Sequence, residues 1–276
     1  MKTYRRALTI AGSDPSGGAG LQADLKTFSA LGVYGTTVVV AVVDENTVGV
    51  TGVHPIPENF VAGQIRSVLA DIGTDAIKIG MLHSSELIRT VLSTLREFPE
   101  AGNIVLDPVM VATSGDPLLK AEAVVTLRDE LIPYCSVITP NLPEASLLLG
   151  TALDSQDQFA DAARELSRLG NPDHGGVSVM LKAGHLENQD TLVDYFYEAS
   201  SGTLMRLPSP KINTVNTHGT GCTLSSAIAA FLARGYSMAD AARAAKEYIS
   251  AAIASGAHFN IGHGHGPVNH FHALWK

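Results

Sequence analysis

Apolar residues in this chain fall into short runs that switch between two rhythms. Residues 7–12 (Ala-Leu-Thr-Ile-Ala-Gly) and the β-branched run 38–43 are apolar without alternation, which predicts strands covered on both faces. Shorter runs of the same kind lie at 76–79, 104–106, 137–139 and 177–181. Between them, apolar positions recur at helical spacing. Leu21, Leu25 and Phe28 mark a helix ending near Gly32, and Pro57 opens another with Phe60, Ile65 and Leu69 as its apolar positions. Residues 87–95, 118–131 and 159–169 read as further helices. This alternation predicts an α/β fold, a mostly parallel sheet with helices on both faces. Hairpin signals are few before about Asp190. After it, 191–197 and 202–207 predict a hairpin near one sheet edge, followed by Ala-rich helices over 221–234 and 238–254. No internal repeat and no linker interrupts the pattern, so residues 1–276 are expected to form a single domain.

Composition narrows the function classes. Apolar residues make up 45% of the chain and charged residues 17%, which suits a globular core and excludes disorder. The 19 basic and 27 acidic residues leave a net charge of -8 with no basic stretch, arguing against nucleic acid or anionic membrane as a partner. Phosphate ligands stay open, because backbone amides and a few cations hold them locally. The two cysteines, Cys135 and Cys222, form no CxxC pair, and this fits a reducing cytoplasm. The apolar run after Arg5-Arg6 is too short for a signal-peptide core, and no apolar stretch is long enough to cross a bilayer.

Candidate chemistry gathers where strands end. Gly12-Ser-Asp14, Glu45-Asn-Thr47, Gly80-Met81, Asp107-Pro-Val109, Pro140-Asn-Leu-Pro-Glu144 and Lys182-Ala-Gly184 all follow predicted strands. Ligands bind at that edge of an open parallel sheet. The segment Asn216-Thr-His-Gly-Thr-Gly-Cys-Thr223 places Gly219 and Gly221 around Thr220, directly before an Ala-rich helix. Glycines and free helix-start amides there suit a phosphoryl group in flight, although a plain turn into a helix has the same composition. Cys222 stands where a helix N-terminus lowers a thiol pKa, or is simply a small buried apolar residue, the reading given to Cys135. Asp107 and Glu144 either hold Mg²⁺ beside ATP phosphates or serve as helix caps and first-turn acids. Lys182 either reaches a phosphate or is solvated. Ser16-Gly-Gly-Ala-Gly20 does not fit a dinucleotide fingerprint, no Walker A pattern occurs, and His263 and His265 lack a flanking ligand set for a metal.

Taken together, Leu8-Thr-Ile-Ala-Gly-Ser-Asp-Pro-Ser-Gly-Gly-Ala-Gly-Leu-Gln-Ala-Asp-Leu-Lys-Thr27, Lys78-Ile-Gly-Met-Leu82, Leu106-Asp-Pro-Val-Met110, Ser114-Gly-Asp116, Ile138 to Glu144, Thr217 to Thr223 and the tail Gly262 to His270 resemble the hydroxymethylpyrimidine/phosphomethylpyrimidine kinases of thiamine synthesis. These belong to the ribokinase-like superfamily. The resemblance implies a three-layer α/β/α sandwich, commonly dimeric. It implies ATP-dependent phosphorylation of 4-amino-5-hydroxymethyl-2-methylpyrimidine and then of its monophosphate. By the same resemblance Asp24, Glu45, Met81 and Val109 line the pyrimidine site. Asp107, Asn141, Glu144, Lys182 and Thr217 serve ATP and Mg²⁺; Gly219, Thr220 and Gly221 form an anion hole; and Cys222 is the candidate base. Two positions depart from the family pattern. Glu45 stands where Gln is usual, and Val215 where a basic residue is common. Pyridoxal kinase is the sister alternative, and a non-catalytic ligand-binding protein on this scaffold is the alternative from another class.

Overall fold

The computed structural model describes residues 3–110, 119–184 and 190–275. The expected motif Ser114-Gly-Asp116 lies outside the described residues. Among the described residues nine strands form one sheet in the order β3-β2-β1-β4-β5-β6-β7-β8-β9. The strands are β1 Arg6–Gly12, β2 Tyr34–Asn46, β3 Gly49–Pro55, β4 Ala76–Ile79, β5 Asn103–Leu106, β6 Val137–Ile138, β7 Ser178–Leu181, β8 Thr191–Glu198 and β9 Thr203–Pro210. From β2 to β7 across the sheet every pairing is parallel, while β3, β8 and β9 are antiparallel additions at the two edges. The parallel centre and the β8–β9 hairpin match the sequence pattern; the β2–β3 hairpin was not anticipated.

Helices cover both faces, giving the three-layer sandwich. They are α1 Gly20–Ala30, α2 Glu58–Asp71, α3 Ser85–Leu95, α4 Ala121–Thr126, α5 Leu142–Leu149, α6 Phe159–Ser167, α7 Thr220–Ala233 and α8 Met238–Gly256. Residues alternate across each strand, so neighbouring positions feed opposite cores. Leu8, Ile10, Ile77 and Ile79 point into the layer of α2 to α6. Ala7, Ala76, Val105 and Val137 face α1, α7 and α8. The second layer is built on small side chains, among them Ala227, Ala229, Ala230, Ala241, Ala242 and Ala245, all buried. Alanines let α7 lie close to the sheet and carry its first turn to the strand ends.

Three expectations change. Phe60 is 64% exposed rather than in the core, because α2 buries Val61, Ala62, Ile65 and Leu69 instead. The helix expected over 118–131 is α-helical only to Thr126 and then widens to a π-turn, Leu127–Leu131. Pro133, two residues beyond, cannot donate an amide to a continuing helix. The strand expected over 38–43 is much longer, because Tyr34–Asn46 projects past the sheet into the β2–β3 hairpin.

Candidate active site

Sheet topology fixes where a ligand can sit. The chain leaves β1 for β2 on one side and later returns to β4 on the other, so β1 and β4 flank a crevice at their carboxyl ends. Two helices start there. α7 begins at Thr220 after Gly219, and α1 begins at Gly20 after the glycine loop. Neither start is capped by its N-cap side chain. Gly219 has φ 77°, and a Cβ there would collide with the Gly18 carbonyl. The two loops are therefore interlocked, and only glycine permits the contact.

Cys222 lies in the first turn of α7 and is partly exposed. Burial of the thiol pushes its pKa up to about 11; Lys78 opposes that shift, while Asp24 and Asp107 reinforce it and a Gly20 amide opposes it. This corrects the expectation of a lowered pKa, because desolvation outweighs the helix terminus. Beside it, an ideal Cβ on Gly221 would stand 3.3 Å from both Asp107 Oδ2 and Lys182 Nζ. The glycine turn, Asp107 and Lys182 thus meet at one point.

Asp107 sits just past β5, only 2% exposed. Its Oδ1 accepts from Lys182 Nζ at 2.9 Å and from Thr139 Oγ1 at 2.9 Å. Burial raises its pKa, but Lys182 and Lys78 more than offset this, so it stays ionised. Asn141 and Lys182 pair as a short parallel extension of β6 and β7. Asn141 caps α5 through Glu144 in a reciprocal capping box, with bonds of 2.8 and 2.9 Å. Glu144 is thereby aimed at Lys182, Oε2 to Nζ 3.9 Å. Its pKa is pushed up to about 7, chiefly by burial, against the pull of Lys182. Asp107, Glu144 and Thr139 offer hard oxygen donors, the chemistry Mg²⁺ takes, with Lys182 Nζ between the two carboxylates.

The pyrimidine set separates. Met81 Cε and Val43 Cγ2 lie 3.2 and 3.7 Å from an ideal Cβ on Gly12, so they wall the crevice at the end of β1. Val109 is partly exposed beside Asp107, to which its amide bonds at 2.8 Å. Glu45 is partly exposed and faces His218, Oε1 to Nε2 3.9 Å. Asp24 is different. It is fully buried, and Lys78, Thr9 and Ser226 occupy both its oxygens at 2.6–2.9 Å. A carboxylate accepts about four hydrogen bonds, and none of its acceptor positions is left for a ring. Asp24 is corrected from a ring contact to a buried anchor. Sequence reading also missed three residues. Lys78 is fully buried in the ion pair with Asp24, and Asp14 and His218 pair at 2.9 Å. A lysine inside the apolar run Ala76-Ile-Lys-Ile79 was the available signal for the first, since a lysine there must find a partner. Thr217 is partly exposed in the loop before α7, its carbonyl accepting the Thr220 amide at 3.2 Å. Val215 is 65% exposed. Among the described residues no helix is long and apolar enough to cross a membrane.

A crevice at a switch point, an uncapped glycine-bounded helix start and a Lys–Asp pair are features suited to holding phosphate groups on an α/β scaffold. Comparison with known proteins narrows this. The family model for phosphomethylpyrimidine kinase matches residues 14–269. The chain is 48% identical over 270 residues to the hydroxymethylpyrimidine/phosphomethylpyrimidine kinase of Rhizobium meliloti (strain 1021), covering 98% of each chain. It is 47% identical over 270 residues to the Escherichia coli (strain K12) enzyme of that name, again covering 98% of each. Among solved structures, an ADP complex of Bacillus subtilis pyridoxal kinase matches with a TM-score of 0.89 and 39% identity, covering 99% of this chain and 100% of that one. The chain belongs to the phosphomethylpyrimidine kinase family, and it is a kinase with ATP as co-substrate.

Proposed function

We propose that this chain transfers the γ-phosphoryl group of ATP to the hydroxymethyl group of 4-amino-5-hydroxymethyl-2-methylpyrimidine, and then to the resulting monophosphate. The observation that carries the reading is the meeting of Gly221, Asp107 and Lys182 at the first turn of α7. The acceptor ring lies against Met81 and Val109, with its hydroxymethyl group toward Cys222. The thiolate form of Cys222, a minority at its raised pKa, takes the hydroxyl proton as the oxygen attacks phosphorus. Amides at Gly219, Thr220 and Gly221 meet the charge on the phosphoryl oxygens, and Lys182 adds a cation. Asn141 and Thr217 contact the nucleotide. Asp107 and Glu144 would hold Mg²⁺, which neutralises phosphate charge when bound. The second transfer needs no base, because a phosphate monoester is already ionised. One continuous sheet supports reading the chain as one domain. We take the protein to act in the cytoplasm and as a homodimer. An ATP-coupled assay on the alcohol, its monophosphate and pyridoxal tests the assignment. Turnover of the first two, exceeding that of pyridoxal, is expected; pyridoxal as the preferred substrate would sink it.

A further inference from the structure

Asp14, Glu45 and His218 come from the loop after β1, the far end of β2 and the loop before α7, yet their polar atoms lie within 4.8 Å of one another. The phosphoryl-transfer step proposed above gives Asp14 and His218 no part, and Glu45 belongs to the ring set that the resemblance implies. Asp14 is locked in place. Its Oδ1 accepts the Ser16 amide at 2.7 Å, and its Oδ2 accepts the Gly18 and Ala19 amides at 3.0 and 2.6 Å. His218 Nε2 adds a contact of 2.9 Å. Burial raises the Asp14 pKa, but His218, Ser16 and Ala19 together hold it well below the carboxylate range. For His218, burial pulls down while Asp14 and Glu45 push up, with a net rise. Both shifts favour the ion pair Asp14⁻–His218⁺. The other groups facing it are His270, whose pKa burial pulls down to about 4, and Lys26, held by the Gly17 carbonyl at 2.6 Å.

Glu45 is the remainder of this cluster. The Nε2 proton of His218 is spent on Asp14, and Glu45 Oε1 is 3.9 Å away, beyond a hydrogen bond. Burial raises the Glu45 pKa, Asp14 repels its charge and His218 partly compensates. The half-buried carboxylate stands two residues along β2 from Val43, a wall of the crevice, and accepts no hydrogen bond among the described residues, with Asp14 adding like charge beside it. Such a group needs a cation, or a donor that brings a proton.

We propose that Glu45 selects the acceptor as its conjugate acid, a planar N-heterocycle that presents an amidinium edge. The inference rests on the kinase reading above. In a neutral 4-aminopyrimidine the amine donates, but the adjacent ring nitrogen accepts, setting a lone pair against a carboxylate oxygen. Protonation of that nitrogen makes both edge atoms donors, which matches a carboxylate bidentately. Each binding event then takes up one proton, so affinity falls as pH rises above neutrality. A Gln at this position donates to the ring nitrogen itself and takes up none.

Titration calorimetry without ATP, repeated at mildly alkaline pH in buffers of different ionisation enthalpy, counts the protons. About one proton bound per pyrimidine alcohol is expected for the wild type and about none for Glu45→Gln. Benzamidine, an amidinium on an aromatic ring, should compete with the alcohol and lose about tenfold or more in Glu45→Gln. A wild type that turns over the alcohol but binds no proton and ignores benzamidine overturns this inference and leaves the kinase reading intact. No turnover of the alcohol overturns both. One equivalent of Zn²⁺ that blocks the alcohol, and is lost in both Glu45→Gln and His218→Ala, would show that the cluster is built for a metal, overturning the proposal as well.

Discussion

At the scale of single residues, the thiol of Cys222 is the most demanding feature of the site. A pKa pushed up to about 11 leaves little thiolate at neutral pH, so a base role has a pH signature. The thiolate fraction grows about tenfold per pH unit below the pKa. The first transfer should therefore accelerate from pH 7 to 9 more steeply than the second, which needs no base. Cys222→Ala should lower kcat on the alcohol about a hundredfold or more and affect the monophosphate less. Equal, mild losses in both steps would reduce Cys222 to a packing role. Metal use is tested at the same scale. Asp107→Asn and Glu144→Gln should each raise the Mg²⁺ concentration needed for half-maximal rate, and titrations that overlay the wild type would remove these carboxylates from metal binding. Neither role depends on covalent strain; both follow from which side chains the strand ends bring to one point.

At the scale of elements, the first turn of α7 separates stability from chemistry. Gly221 has ordinary helical geometry, and alanine is favoured over glycine in a helix by about 1 kcal/mol. Gly221→Ala should therefore stay within about 1 kcal/mol of the wild type in stability, the helical gain offset by a methyl that displaces the Asp107–Lys182 pair, yet lose most of its turnover. The reason is that the added methyl stands 3.3 Å from Asp107 and Lys182, where the phosphoryl group must pass. Gly219→Ala should instead destabilise the protein, since φ is 77° and the methyl meets the Gly18 carbonyl. Urea midpoints and kcat measured on both variants check the split; a less stable, fully active Gly221→Ala would break it. Elements of this kind were legible in the sequence because a buried parallel strand is a continuous apolar run, and helix starts carry glycine, proline or Asn. Ala76–Ile79 was located to the residue. The β2–β3 hairpin was not legible. Its second strand, Gly-Val-Thr-Gly-Val-His-Pro, carries two glycines and is mostly exposed, so it shows neither a buried run nor alternation. The site residues at strand ends could be named from turn chemistry. Asp24's burial could not, because whether a carboxylate meets a ligand or a lysine depends on which element packs over it.

At the scale of the whole molecule, that lysine joins the layers beneath the crevice. Lys78 stands on β4, fully buried, and Asp24 on α1 accepts its ammonium at 2.9 Å through both oxygens. Thr9 of β1 and Ser226 of α7 complete the shell at 2.6 Å each. One carboxylate thus ties two neighbouring strands to two helices. Ser226 lies one helical turn beyond Cys222, on the same face of α7, so the pair sits under the thiol. Burial lowers the Lys78 pKa, but Asp24, Cys222 and Asp107 raise it further, so the ammonium stays charged across the working pH range. A folded pKa above the unfolded value means that the pair's stabilisation is complete below the unfolded lysine pKa and is lost only in strong alkali. Removing one partner should be costly. Lys78→Met strands a buried carboxylate, with a loss of about 3–5 kcal/mol, while Lys78→Met with Asp24→Asn should recover most of it. The two charges also act on Cys222 with opposite sign. Asp24→Asn leaves the ammonium unopposed and should lower the thiol pKa; Lys78→Met leaves the carboxylate and should raise it. The rate of alkylation of Cys222 against pH, measured in a Cys135→Ala background, reads that pKa directly. A purely structural pair would loosen the site in both variants and shift the alkylation profile the same way in each. Opposite shifts would mean that the charges anchoring the helical layer to the sheet also set the ionisation of the residue above them.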